Sequence, residues 1–256
     1  MHYLFSIKSK LQKNIAFFCY CYCYCYCCLF SASAWAINPN TIYLSTPLHF
    51  ALPYTQISVN TNDGYELNTW VILPTATHNL RSVLIIAYGD TGNMSYCLDE
   101  AKAFCSKGYT CILFDYRGFG ESSAFAINSQ FLYYNEFGTD LACIIEWAKE
   151  QFEGQGIGIY AFSMGSVAAT LALAQQSVDF LIAEGFVVNP TKVQQRLRDV
   201  SGKEVLLPIC SQNYDLALQK LSLPILLFAG TLDPITTPEE RRNFCKKTSK
   251  QNGNSI

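Results

Sequence analysis

Histidine is scarce: the 256 residues hold three, His2, His49 and His78, so nothing after position 78 offers an imidazole base. Charge is scarce too, at 15% of the chain. Of 18 basic residues, Lys8, Lys10 and Lys13 lie in a leading segment that holds no acid, which leaves 15 against 20 acidic groups. That balance gives no sign of a nucleic-acid partner. The late cluster of Arg241, Arg242, Lys246, Lys247 and Lys250 reads as a solvated helix end. The phosphate-loop lysine is missing from the glycine-bearing stretch at 89–95. Gly154-Gln155-Gly156-Ile157-Gly158 precedes a strand where a dinucleotide fingerprint must follow one. A zinc ligand set is missing as well, because the cysteines from Cys19 to Cys27 alternate with tyrosines and no second ligand group follows nearby. No metal and no cofactor is expected, and no internal repeat of structural length occurs.

What is present is apolar material, 50% of the residues, enough for one sizeable core. The first 36 residues stand apart. Three lysines lead, residues 15–30 are uncharged and apolar, and Ser31-Ala32-Ser33-Ala34-Trp35-Ala36 has small residues at cleavage-like spacing. This reads as a secretory signal cut after Ala34 or Ala36. Because residues 15–42 carry no charge, an uncleaved membrane anchor is the alternative. Either way the chain is expected to be exported, secreted or periplasmic, or held at a membrane; the amino-terminal mass of the recovered protein distinguishes the two. Residues 37–54 read as a linker and 55–256 as the folded domain. Six cysteines follow the leader, Cys97, Cys105, Cys111, Cys143, Cys210 and Cys245. Their pairing is not fixed by sequence, and Cys105, Cys111 and Cys143 suit core packing.

Within the domain, short apolar runs at 82–87, 110–114, 158–162, 180–183 and 225–229 read as buried parallel strands. Helical patterns at 95–107, 137–151, 164–175, 214–221 and 237–247 separate or follow them, which specifies an α/β chain with a mostly parallel, doubly wound sheet. Ahead of these, residues 56–60 and 65–73 flank Asn62-Asp63-Gly64, the chemistry of a tight antiparallel hairpin turn.

The densest signal is Gly158-Ile159-Tyr160-Ala161-Phe162-Ser163-Met164-Gly165-Ser166, a strand, a sharp turn and a helix with Ser163 at the apex. Holding a serine on such a turn requires small residues two places to either side, here Ala161 and Gly165. Two further loops accompany it. Asp115-Tyr116-Arg117-Gly118-Phe119-Gly120-Glu121-Ser122 follows one strand, and Gly230-Thr231-Leu232-Asp233 follows another. Together with Tyr88-Gly89-Asp90-Thr91-Gly92-Asn93, these motifs resemble the α/β-hydrolases of the serine aminopeptidase and monoacylglycerol-lipase-like group, over about residues 56 to 245.

The resemblance implies a serine hydrolase acting on a small acyl substrate, an ester, thioester or small amide. Ser163 is the implied nucleophile, Asp233 the acid, and the backbone N–H groups of Met164 and Asp90 the oxyanion donors. Two departures stand out: Tyr88 replaces a usual histidine, and Asp90 sets a carboxylate where an uncharged residue is common, so its side chain is expected to point away. Asp115 and Arg117 are expected to support the wall below the site, and residues 190–221 to supply a short lid. The family order of serine, acid, histidine also implies a further helix and strand, then the histidine. Only 23 residues follow Asp233, and none is histidine, so the resemblance implies a chain truncated at its carboxyl end with impaired turnover. A noncatalytic binding protein of the same fold, or a nonfunctional remnant, are the other readings.

Overall fold

The computed structural model describes residues 36–209 and 212–251. The leader, apart from Ala36, and Cys210 lie outside the described residues. In chain order the strands are β1 (Asn38–Pro39), β2 (Tyr54–Asn60), β3 (Glu66–Ile72), β4 (Ser82–Ala87), β5 (Thr91–Gly92), β6 (Thr110–Phe114), β7 (Gly156–Phe162), β8 (Phe180–Glu184) and β9 (Ile225–Phe228). The helices are α1 (Leu98–Cys105), α2 (Glu136–Gln151), α3 (Met164–Ala172), α4 (Pro190–Ser201), α5 (Gln212–Gln219) and α6 (Pro238–Gln251). The main sheet has seven strands in the order β2-β3-β6-β4-β7-β8-β9, with β2 and β3 antiparallel and β4, β6, β7, β8 and β9 mutually parallel. The expected architecture, a mostly parallel α/β sheet with an antiparallel hairpin at its start, is the observed one.

Each part follows from its residues. Every residue of β6, and all but the first of β4, is buried, as a parallel strand covered on both faces requires. The hairpin turns at Gly64, whose φ of 90° only glycine adopts without strain. Helices α2 and α3 approach so closely that a Cβ on Gly138 would lie 2.5 Å from the Leu171 Cβ. Cys105 and Cys111 donate weakly to the carbonyls of Ile72 and Ala101, and with Cys143 they are buried thiols. Helix α4 has no counterpart among the expected elements, although its signals are local: Asn189 accepts the Lys192 N–H at 2.9 Å, Pro190 opens the helix, and Gly202 at φ 66° ends it.

The segment 37–54, read as a linker, is part of the packed domain. Ile37 and Leu52 are buried, Asn38 donates to the Asp90 carbonyl, and the Tyr43 hydroxyl donates to Asp115. Tyr43 and Tyr54, whose rings pack on Trp70, give little warning of this, because the segment's partners Asp90 and Asp115 lie more than 50 positions away.

Coverage of the sheet is uneven. Side chains alternate across a strand, so Tyr160, Ile182 and Leu226, register partners on β7, β8 and β9, share one face. Helix α1 reaches that face at Tyr160 through Phe104, but Leu226 and Phe228 on β9 remain about half exposed. Among the described residues β9 is the sheet's edge. No described helix is long and apolar enough to cross a membrane.

Two buried ionic clusters fasten the loops. Arg117 pairs with Asp140 of α2 at 2.6 Å and with Asp63 of the hairpin turn at 2.7 Å, its guanidinium 3.9 Å from the Tyr65 ring centre. Asp115 accepts from the hydroxyls of Tyr43 and Tyr88 and, at 2.7 Å, from the Met94 N–H. Burial pushes the Asp115 carboxyl up to about 6 against the pull of those donors. A carboxyl raised in the folded state favours folding most below its unfolded value near 4, and that contribution is lost as pH rises through about 6. Asp115→Asn is therefore expected to gain about 2–3 kcal/mol relative to the wild type between pH 4 and pH 7, read from urea unfolding at each pH. A constant difference across that window would contradict the assignment.

Candidate active site

Strand β7 ends at Phe162 and α3 begins at Met164, so Ser163 alone makes the connection. It does so at φ 51°, ψ −116°, a conformation that costs a non-glycine residue roughly 1–3 kcal/mol and persists only when the surroundings dictate it. The surroundings do. A Cβ on Gly165 would lie 1.9 Å from the Ala87 carbonyl oxygen and 2.6 Å from that of Tyr88, so the helix starts in backbone contact with the end of β4. Across the sheet at this level stand Ala87, Ala161 and Ala183, register partners on β4, β7 and β8. The Ser163 N–H donates to the Glu184 carbonyl at 3.0 Å. Ser166 Oγ donates to the Ser163 carbonyl at 2.7 Å and accepts the Val187 N–H at 3.0 Å, tying the turn to the loop after β8.

Ser163 borders a cavity of about 590 Å³ whose walls include Phe162, Leu197, Phe228, Ile235 and Asp233. The two expected partners, Ser163 and Asp233, thus meet on one cavity. Gly185 separates them: its Cβ position lies 3.6 Å from Ser163 N and 3.8 Å from Thr236 Oγ1. Leu197 comes from α4, so the segment 190–221 does reach the site.

Asp233 is held on all sides. Its Oδ1 accepts the N–H groups of Ile235 and Thr236, both at 2.9 Å, while Oδ2 accepts the Thr236 hydroxyl at 2.5 Å and the Arg241 guanidinium at 3.3 Å. Burial raises its pKa, but the Thr236 hydroxyl, the two N–H groups and Arg241 together hold it below the usual carboxylate range. Four donors occupy the roughly four lone-pair sites a carboxylate has. Arg241, expected on a solvated face, is instead buried, and binds both Thr236 and Asp233. Thr236 and Arg241 are site residues that sequence reasoning missed; the Asp-Pro turn ahead of a helix was their only signal.

The backbone contact of Gly165 with Ala87 and Tyr88 also brings the start of α3, at Met164, beside the loop that carries Asp90. Asp90 lines a second cavity next to the first, and burial raises its carboxyl, which favours the neutral form. Tyr88, where the resemblance implies histidine, is buried and spends its hydroxyl on Asp115, 3.1 Å away. Of the histidines, His49 accepts the Thr46 N–H at 3.1 Å, and His78 lies exposed ahead of β4, at the amino-terminal edge of the sheet; Ser163 lies past the carboxyl end.

The close contact at Gly165 generates a test. Gly165→Ala is expected to destabilise the fold by about 3 kcal/mol or more, because the clash is with backbone that no rotamer can relieve. A calorimetric melting temperature within a degree of wild type would contradict the geometry.

Comparison with known proteins agrees with this architecture. Residues 83–198 match the family described as alpha/beta hydrolase fold. Over 213 residues the chain is 26% identical to protein bem46 of Schizosaccharomyces pombe, covering 76% of this chain and 66% of that protein. It is 28% identical over 125 residues to the uncharacterized protein YqkD of Bacillus subtilis, covering 47% of this chain and 39% of that one. The chain thus matches about two thirds of the length of one relative and two fifths of the other. Among solved structures, the Pyrococcus furiosus esterase Pf2001 superposes with a TM-score of 0.66 at 21% identity, covering 84% of each chain. The turn at Ser163, the sheet order and these likenesses agree: the chain has the α/β-hydrolase fold.

Proposed function

We propose that the protein is a serine acyl hydrolase acting on an ester, thioester or small amide. The single observation that carries this reading is Ser163, held in a strained strand-to-helix turn on an open, largely apolar cavity. In the proposed reaction Ser163 Oγ attacks the acyl carbon, and the N–H groups of Met164 and Asp90 receive the oxyanion. The first turn of α3 adds the positive end of its dipole. Collapse of the tetrahedral intermediate expels the alcohol, thiol or amine, and water then releases the acid. Burial pushes the Asp90 carboxyl up from its ordinary value, which lessens its opposition to an oxyanion beside it. The acyl chain would lie along Phe162, Leu197 and Phe228. The leading basic and apolar segment supports export of the enzyme, to the periplasm or outside the cell, or to a membrane surface.

Base catalysis is the weak link. No histidine follows Ser163 in the sequence, and Asp233 already accepts four hydrogen bonds. Loss of the base from a serine triad costs on the order of a million-fold in turnover, about 8 kcal/mol, while oxyanion donors alone leave roughly a thousand-fold over water. The saturation of Asp233 by its own turn favours a second reading, an acyl-binding protein without turnover.

Hydrolysis of p-nitrophenyl butyrate, measured with and without added imidazole, tests the proposal. The 256-residue chain should be slow alone and accelerated by imidazole at least about tenfold above a Ser163→Ala control, because the external base supplies what the chain lacks. No Ser163-dependent rate even with imidazole would favour the binding protein. Efficient turnover without imidazole would place a base elsewhere in the chain.

A further inference from the structure

Beside the serine's cavity, and sharing Phe162 and Glu184 with it, lies a second cavity of about 260 Å³. Its lining combines three carboxyl groups, Asp90, Glu100 and Glu184, with the rings of Tyr96, Tyr160 and Phe162. Among the described residues no lysine, arginine or histidine lines it; the field of Lys203 reaches Asp90 from outside. The carboxylates are unequally satisfied. Glu184 accepts the Tyr160 hydroxyl at 3.0 Å, whereas Glu100 Oε2 is shut off from solvent without a hydrogen-bond partner. An orphaned acidic oxygen at an aromatic wall is costly unless a cation comes to it.

The spacing of the acids decides which cation. Among the described residues no three acidic, cysteine or histidine side chains converge closely enough to hold a metal ion. The acids share a cavity and no coordination sphere. A cation that touches several walls at once must be larger than a bare ion, and ring faces attract one with a diffuse charge and an apolar surface. We infer that this cavity binds an organic ammonium group, with Glu100 and Glu184 supplying charge and Tyr96, Tyr160 and Phe162 enclosing it. Where the ammonium belongs to a substrate, it would flank the acyl group held at Ser163. That use rests on the serine-hydrolase reading, but the binding does not.

The two are separated by titrating Ser163→Ala protein with choline, with its neutral isostere 3,3-dimethyl-1-butanol, and with sodium chloride to match ionic strength, by calorimetry or by NMR shifts. Choline should bind saturably and at least about fivefold tighter than the alcohol. Glu100→Gln and Glu184→Gln should each weaken it about threefold or more. Tyr96→Ala, which removes a half-exposed ring at the mouth and threatens the fold least, should weaken it similarly. Equal binding of choline and the alcohol, no saturation by 50 mM choline (about the weakest binding worth proposing), or choline binding indifferent to all three variants would each overturn the inference. None of these results depends on turnover, so a failed esterase assay leaves this test intact.

Discussion

The contact between Gly165 and the end of β4 is the constraint on which the rest of the site depends. With no side chain at 165, α3 begins against the carbonyls of Ala87 and Tyr88, and the only path from β7 into the helix runs through a left-handed residue. Ser163 occupies it. A tight helix start explains in turn why β4, β7 and β8 carry alanines at 87, 161 and 183 near their carboxyl ends, and why Ser166 ties the turn to the loop after β8. The strain is local, whereas the elements that oppose it are spread over β4, β7, β8 and α3.

Four acidic groups around this point take four different states because of their surroundings. Asp115 is buried under tyrosines and titrates high; Asp90 is desolvated beside the cavity; Glu100 leaves an oxygen unpaired; Asp233 is drawn low by a hydroxyl, two N–H groups and a guanidinium. Residue type alone would have made them equivalent. Local chemistry separates a structural anchor, a desolvated wall residue, a carboxyl with an unpaired oxygen and a carboxylate locked into its own turn.

Much of this was legible in the sequence where the cause is local. The parallel strands are continuous apolar runs, the hairpin carries Asp-Gly, and the serine turn needs Ala161 and Gly165 at fixed spacing. Long-range causes were hidden. The 37–54 segment looks like a linker because its partners, Asp90 and Asp115, are more than 50 positions away. Arg241 reads as one cation among several in a helix, and only the fold reveals that it is buried against Asp233. Tyr88 reads as a departure from a motif, yet its hydroxyl completes the shell of Asp115. Helix α4 was legible in principle, since Asn189, Pro190 and Gly202 mark both ends and Pro190, Val193, Leu197 and Val200 recur at helical spacing, but that narrow stripe is set in a mostly polar segment.

The central claim is that the fold presents Ser163 as the reactive hydroxyl. The most direct measurement is covalent labelling of the folded chain with a fluorophosphonate, followed by tandem mass spectrometry to locate the adduct. The account predicts one slowly formed adduct, on Ser163, formed only by folded protein. An adduct on a different residue, or none after prolonged exposure of folded chain, would contradict it.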